Sequence, residues 1–150
     1  MIALIQRVKS ASVTVEGEKI ADIQQGLLVL LGVEKKDDVA VAEKLADKIL
    51  KYRVFADQDD KMNLSVIDIK GSVLLVPQFT LAANTHKGLR PSFSNAASPE
   101  KGLELFTQLI DIMRDKGEFM VDNWLQTGQF GADMAVELLN DGPVTFNLTM

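Results

Sequence analysis

Gln78-Phe79-Thr80, just past the apolar run Ser72 to Val76, is the first place in this sequence where chemistry could be done. A chain leaving a sheet there exposes successive backbone N–H groups, and such donors stabilise a developing oxyanion. Thr80 adds a hydroxyl and Gln78 an amide. A second place is Asn140-Asp-Gly-Pro-Val-Thr145. Its Gly142-Pro143 bond can be cis far more cheaply than a non-proline bond, and both flanking carbonyls would then form one rigid element. The third is His86-Lys-Gly-Leu-Arg-Pro-Ser-Phe93, where Lys87 and Arg90 offer charge for one or two phosphates. Trp124 and Phe130 are surfaces on which a base could stack. On pattern alone each has an ordinary reading as well: a strand ending in a loop, a hairpin turn, a solvated loop, aromatic core.

The composition narrows the chemistry. The chain has 150 residues, no cysteine and one histidine. Thiolate nucleophiles, disulfides and multi-histidine metal sites are excluded, and His86 is the only imidazole. Neither GxGxxG nor GxxxxGK[ST] occurs. The formal net charge is −5, so the chain is not expected to cover many phosphates of a nucleic-acid backbone. Polar residues enter too early in Met1-Ile-Ala-Leu-Ile-Gln-Arg for a signal peptide, and the uncharged stretch from Gly71 to about His86 is too short to span a membrane. The expectation is a cytoplasmic protein without a membrane segment.

Several elements must position these residues. Met1 to Glu16 alternates polar and apolar positions, as a half-buried strand or hairpin with Gly17 near its turn does. Gly26 to Val33 reads as a central strand covered on both faces. Asp37 or Asp38 offers an N-cap to a helix whose buried face is Ala42, Leu45, Ala46, Ile49 and Leu50. Tyr52 to Ala56 reads as a short strand before a polar loop, and Ser72 to Val76 as a strand stopped by Pro77. After a loop from Ala82 to Ala97, Ser98 and Pro99 start a second helix. Its expected stripe is Leu103, Phe106, Leu109, Ile110 and Met113, and Gly117 ends it. Met134 to Leu139 and Val144 to Leu148 read as two strands around a turn at Asn140 to Pro143. Strand runs interrupted by two helices predict one α+β domain over residues 1–150.

Together these segments resemble one family, the D-aminoacyl-tRNA deacylases, along the whole chain. The resemblance is carried by Met1 to Val8, Gly26 to Val33, Lys61-Met-Asn-Leu64, Gln78-Phe-Thr-Leu-Ala82, Arg90-Pro-Ser-Phe93 and Asn140-Asp-Gly-Pro-Val-Thr145. It implies a barrel-like arrangement of mixed and antiparallel sheets with two main helices. It implies a homodimeric carboxylic ester hydrolase that frees D-amino acids from the terminal adenosine of tRNA, accepts glycine, and uses neither metal nor organic cofactor. Gln78, Phe79 and Thr80 would line the reacting ester. Gly142 and Pro143 would project into the partner subunit's site and reject L side chains. Lys87, Arg90, Phe130 and Met134 would contact the tRNA 3′ end. No general base is visible beside Thr80, so its expected role is to orient water rather than to attack.

There is one departure. The family usually has serine where this chain has Pro77, and proline removes both a hydroxyl and an N–H. A related branch that clears L-alanine from tRNA shares Pro-Gln but has a changed Gly-Pro segment with a trans bond. Asn140 to Thr145 keeps the D-specific pattern.

Overall fold

The computed structural model describes residues 1–86 and 88–150; the expectation for Lys87 therefore lies outside the described residues. The long first strand β1 (Ile2–Val15) and β2 (Glu18–Ile23) are antiparallel. Glu16 and Gly17 turn between them with φ of 50° and 80°, the left-handed pair that suits a two-residue hairpin. The glycine-bounded apolar run is β3 (Gly26–Gly32), antiparallel to β1. The next strand of that sheet in space, β6 (Ser72–Pro77), runs parallel to β3. The crossover between them carries helix α1 (Val39–Lys51) and the small pair β4 (Phe55–Ala56) and β5 (Met62–Leu64). Helix α2 (Pro99–Lys116) follows, then β7 (Leu125–Thr127) parallel to β6, and finally β8 (Ala135–Thr149) against β1.

The run from Leu27 to Leu31 is apolar throughout because both faces of β3 are covered. Leu27, Val29 and Leu31 join Val73 and Leu75 under the two helices, whereas Leu28 joins Leu74, Val76, Val8 and Val13 on the opposite face. That opposite face curls into a nearly closed barrel. At the seam the Gln126 side chain accepts from the Asp22 N–H at 2.8 Å and donates to the Asp22 carbonyl at 2.7 Å. One amide thus stands in for a strand pair and satisfies backbone groups at the edge of β2.

The helices form where their caps and stripes predict. Asp38 accepts from the Val41 N–H at the start of α1, and Ser98 from the Lys101 N–H at the start of α2. The α1 stripe is buried as expected. In α2 the stripe is Gly102, Leu105, Phe106, Leu109 and Met113. Leu103 does not belong to it and is 47% exposed. Leu105 takes the inward place because the row set by Phe106, Leu109 and Met113 extends back to Leu105 and Gly102 at i−4 and i−7 from Leu109, and Leu103 falls on the flank.

The C-terminal region departs further from expectation. Asn140 to Pro143 is not a hairpin turn. Residues on both sides of it pair antiparallel with the same strand, Leu139 with Ser10 and Asn140 with Val8, then Thr145 with Gln6. The chain keeps its direction and ejects Asp141, Gly142, Pro143 and Val144 as a bulge opposite Arg7. Bulges of this kind re-aim side chains and mark functional edges. β7 carries no period-two signal in the sequence because it has only three residues.

Candidate active site

Four segments of the chain converge on a cavity of about 480 Å³. The ends of β3 and β6 supply Leu31, Val33, Val76 and Pro77; the start of α2 supplies Ser98, Pro99, Gly102 and Phe106; the segment before β8 supplies Phe130 and Met134. The wall is mostly apolar, with polar groups at its mouth. Phe106 and Phe130 meet at 6.1 Å between ring centroids. Glu100, in the first turn of α2, has its carboxyl held below the ordinary range, first by its own backbone N–H and then by Ser98.

The mouth is built by the residues that follow β6. Pro77 is the last residue of the strand and pairs in register with Leu31. Having no N–H, it ends the donor row, and the next donor is Gln78, whose N–H reaches the Leu31 carbonyl at 2.7 Å. Phe79–Ala82 then coil into a single 3-10 turn. The turn's first bond runs from Leu81 N–H to the Gln78 carbonyl, so the N–H groups of Phe79 and Thr80 have no partner within it. The Gln78 side-chain amide donates to the Thr80 hydroxyl. Gln78 and Phe79 line the cavity, and Thr80 stands exposed beside them.

The bulge of β8 is held from below. Asn140 accepts from the Val144 N–H at 2.9 Å and donates to the Thr145 hydroxyl at 2.9 Å, closing the base of the loop. Arg7 grips its first residue, donating from Nε to the Asp141 carbonyl at 3.0 Å, with the Asp141 carboxylate 3.4 Å away. Its other arm donates to the Val54 carbonyl at 2.6 Å, which fixes the guanidinium to the body of the protein. The Gly142-Pro143 peptide is cis. Both residues are exposed, and neither lines the cavity of its own chain.

Over residues 4–149 the sequence matches the family described as D-Tyr-tRNA(Tyr) deacylase. The chain belongs to this family. Relatives named D-aminoacyl-tRNA deacylase are 58% identical in Shewanella piezotolerans and 57% in Shewanella frigidimarina, each match covering 99% of both chains. A solved structure described as c-Myc DNA Unwinding Element Binding Protein is 38% identical, with a TM-score of 0.93 over 100% of this chain and 99% of that one. A probable eukaryotic D-amino acid tRNA deacylase, 14% identical, shares the fold with a TM-score of 0.84 over 98% of both chains.

Within the family's frame, the structure gathers some of the expected residues and separates others. Gln78, Phe79, Phe130 and Met134 meet at the cavity. Trp124 is buried in the core under the helices and offers no face to a base. His86 and Arg90 are exposed on the loop before α2, outside the cavity lining. Asn140 and Thr145 bound one of the three segments expected to carry chemistry, whereas Arg7 lies outside all three. A signal for Arg7 was available, since it is a charged residue within the mostly apolar opening Met1 to Val8.

Proposed function

We propose that this deacylase hydrolyses the ester between a D-amino acid, or glycine, and the terminal adenosine of tRNA, and that it works as a homodimer without metal or organic cofactor. The observation that carries the reading is the turn Gln78-Phe79-Thr80 at the mouth of a cavity of nucleoside size, with two backbone N–H groups unused by the turn. Water adds to the ester carbonyl, and the oxyanion that forms is met by the N–H groups of Phe79 and Thr80. Each such donor is worth roughly 3–4 kcal/mol in comparable sites. Collapse expels the ribose oxygen, which takes up the proton given by the water. The products are the free amino acid and tRNA. An aminoacyl ester is already activated, so positioning replaces a strong base.

Selectivity is assigned to rejection. Gly142 and Pro143, exposed and outside their own chain's cavity, enter the partner subunit's site, where their carbonyls take the space an L side chain needs. Glycine carries only hydrogen there and passes. Lys87 and Arg90 assist at the 3′ end, and Phe130 and Met134 bound the nucleoside. An aminoacyl-tRNA substrate places the enzyme in the cytoplasm. Turnover of D-tyrosyl-tRNA by substoichiometric enzyme, run beside L-tyrosyl- and glycyl-tRNA, tests the whole reading. Stoichiometric binding without turnover would leave an RNA-end-binding protein instead. Comparable D and L rates would implicate Pro77 in relaxed chirality.

Two outcomes follow from the site. Thr80→Ala is expected to cost about tenfold to a hundredfold in kcat, the range of one positioned contact. The backbone donors survive truncation, so activity remains measurable; an acyl-enzyme trapped on Thr80 would instead establish covalent catalysis. Mixing a Gly142 variant with a Thr80 variant is expected to restore activity through mixed dimers, since one of the two sites in each is then intact. Full activity from a strictly monomeric form would exclude a shared site.

A further inference from the structure

Two large aromatic rings stand in water at the mouth of the cavity. Phe79 is 61% exposed and Phe93 is 39% exposed. Their ring centroids lie 5.1 Å apart at 52°. The contact is made across the chain by a folded-back loop: Asn84 donates to the Ser92 carbonyl at 2.7 Å, and Ser92 donates back at 3.1 Å. This two-bond clasp sets Phe93 beside Phe79, and exposed Leu89 and Arg90 lie within the loop it closes. Apolar rings of this size are ordinarily buried, as Phe106 is in the same cavity. Phe79 lines the cavity and Phe93 does not. The pair therefore extends the site outward from its rim and adds nothing to its depth.

We infer that Phe93 and Phe79 form a stacking platform for the nucleobase that precedes the terminal adenosine of the tRNA. The inference rests on the proposed function and adds to it a second nucleotide-binding position. A cavity of about 480 Å³ takes one nucleoside with its aminoacyl group. The preceding nucleotide of a single-stranded 3′ end must then lie at the rim. Base–aromatic stacking is the usual means of holding an unpaired base, and it tolerates any base because every base has a π-face. Arg90 on the same loop brings positive charge to the adjoining phosphate, in a chain whose net charge of −5 otherwise repels RNA.

The experiment compares two D-tyrosyl esters, one on full-length tRNA and one on adenosine alone, with wild-type enzyme, Phe93→Ala and Phe93→Tyr. Phe93→Ala is expected to raise KM for D-tyrosyl-tRNA about tenfold, equivalent to roughly 1.4 kcal/mol, with kcat little changed. For D-tyrosyl-adenosine, KM should stay within about twofold, and Phe93→Tyr, which keeps the ring face, should behave as wild type on both. An equal rise on both substrates would mean that Phe93 only props Phe79, and no change on either would mean that no base stacks there. Both results overturn the platform. If wild type hydrolyses neither ester, the proposed function itself fails, a result distinct from these.

Discussion

Gly142→Ala is expected to lower deacylation of D-tyrosyl-tRNA by about a hundredfold or more, because misplacement of a positioning element by even about 1 Å costs that much. Gly142 has φ of +133°, a conformation that L side chains rarely adopt. A Cβ there would stand 2.7 Å from the Val144 side chain and 3.0 Å from Nη2 of Arg7. Neither neighbour can yield cheaply. Val144 is tied through its N–H to Asn140, and Arg7 is tied to Asp141 and Val54. The bulge must therefore change shape. The fold should survive, since the bulge lies outside the β1 pairing register and the strained residue costs about 1–3 kcal/mol. Arg7→Ala tests the same element from the other side. It leaves the bulge present but unheld, so L-tyrosyl-tRNA hydrolysis should rise relative to D. Rates on both enantiomers, measured on variants shown to be folded and to have the wild-type oligomeric state, decide the matter. Activity within about threefold of wild type for Gly142→Ala would show that the bulge does not shape the site.

Asp37→Ala is expected to be strongly destabilising, by about 3–5 kcal/mol. That is the usual consequence of leaving a buried charge without its partner. The α-ammonium of Met1 is fully buried and donates to Asp37 at 2.6 Å, and the Asp37 side chain is 2% exposed. Its second oxygen accepts from the Glu34 N–H at 2.7 Å. The loss is large against a total stability of about 5–15 kcal/mol and should lower Tm by roughly 10 °C. It should also reach the active site. Glu34 bridges to Ala96, and Ala97 donates to the Val33 carbonyl at 2.9 Å, so this corner supports the cavity wall formed by Val33 and Ala97. Asp37→Asn keeps one acceptor and should fall between. Thermal melts followed by circular dichroism, with kcat/KM on the same samples, provide the readout. A melt within about 2 °C of wild type would mean that Glu34, whose carboxylate is 3.8 Å from the ammonium, takes over the pairing.

Much of this protein was legible locally. Hydrophobic period, caps and turn residues are short-range properties, and they identified β1, the Glu16-Gly17 turn, β3, α1, β6 and the limits of α2. The apolar run of β3 announced burial on both faces, because a strand half in water would have alternated. The resemblance pointed to Gln78, Phe79 and Thr80, and the residue types themselves explained how an ester could be hydrolysed without cysteine or a second histidine.

What the local pattern misassigned depended on partners distant in the chain. Asn-Asp-Gly-Pro is a turn by composition, yet whether the chain reverses there is decided by which strand the flanks pair with, and both pair with β1. The same long-range pairing puts Arg7 opposite Gly142, more than a hundred residues away in sequence. Leu103 and Leu105 compete for one stripe, and packing of the row through Leu109 and Met113 into the core selects Leu105. The barrel seam hangs on Gln126, a residue with no distinguishing local signal. Phe93 reaches Phe79 only because Asn84 and Ser92 close the loop between them. Residue types and short spacings thus determined the elements and the class of chemistry, since propensity and periodicity act over a few residues. The cavity, the grip on the bulge and the aromatic rim were decided by tertiary structure, because each is a contact between segments whose separation no local energy encodes.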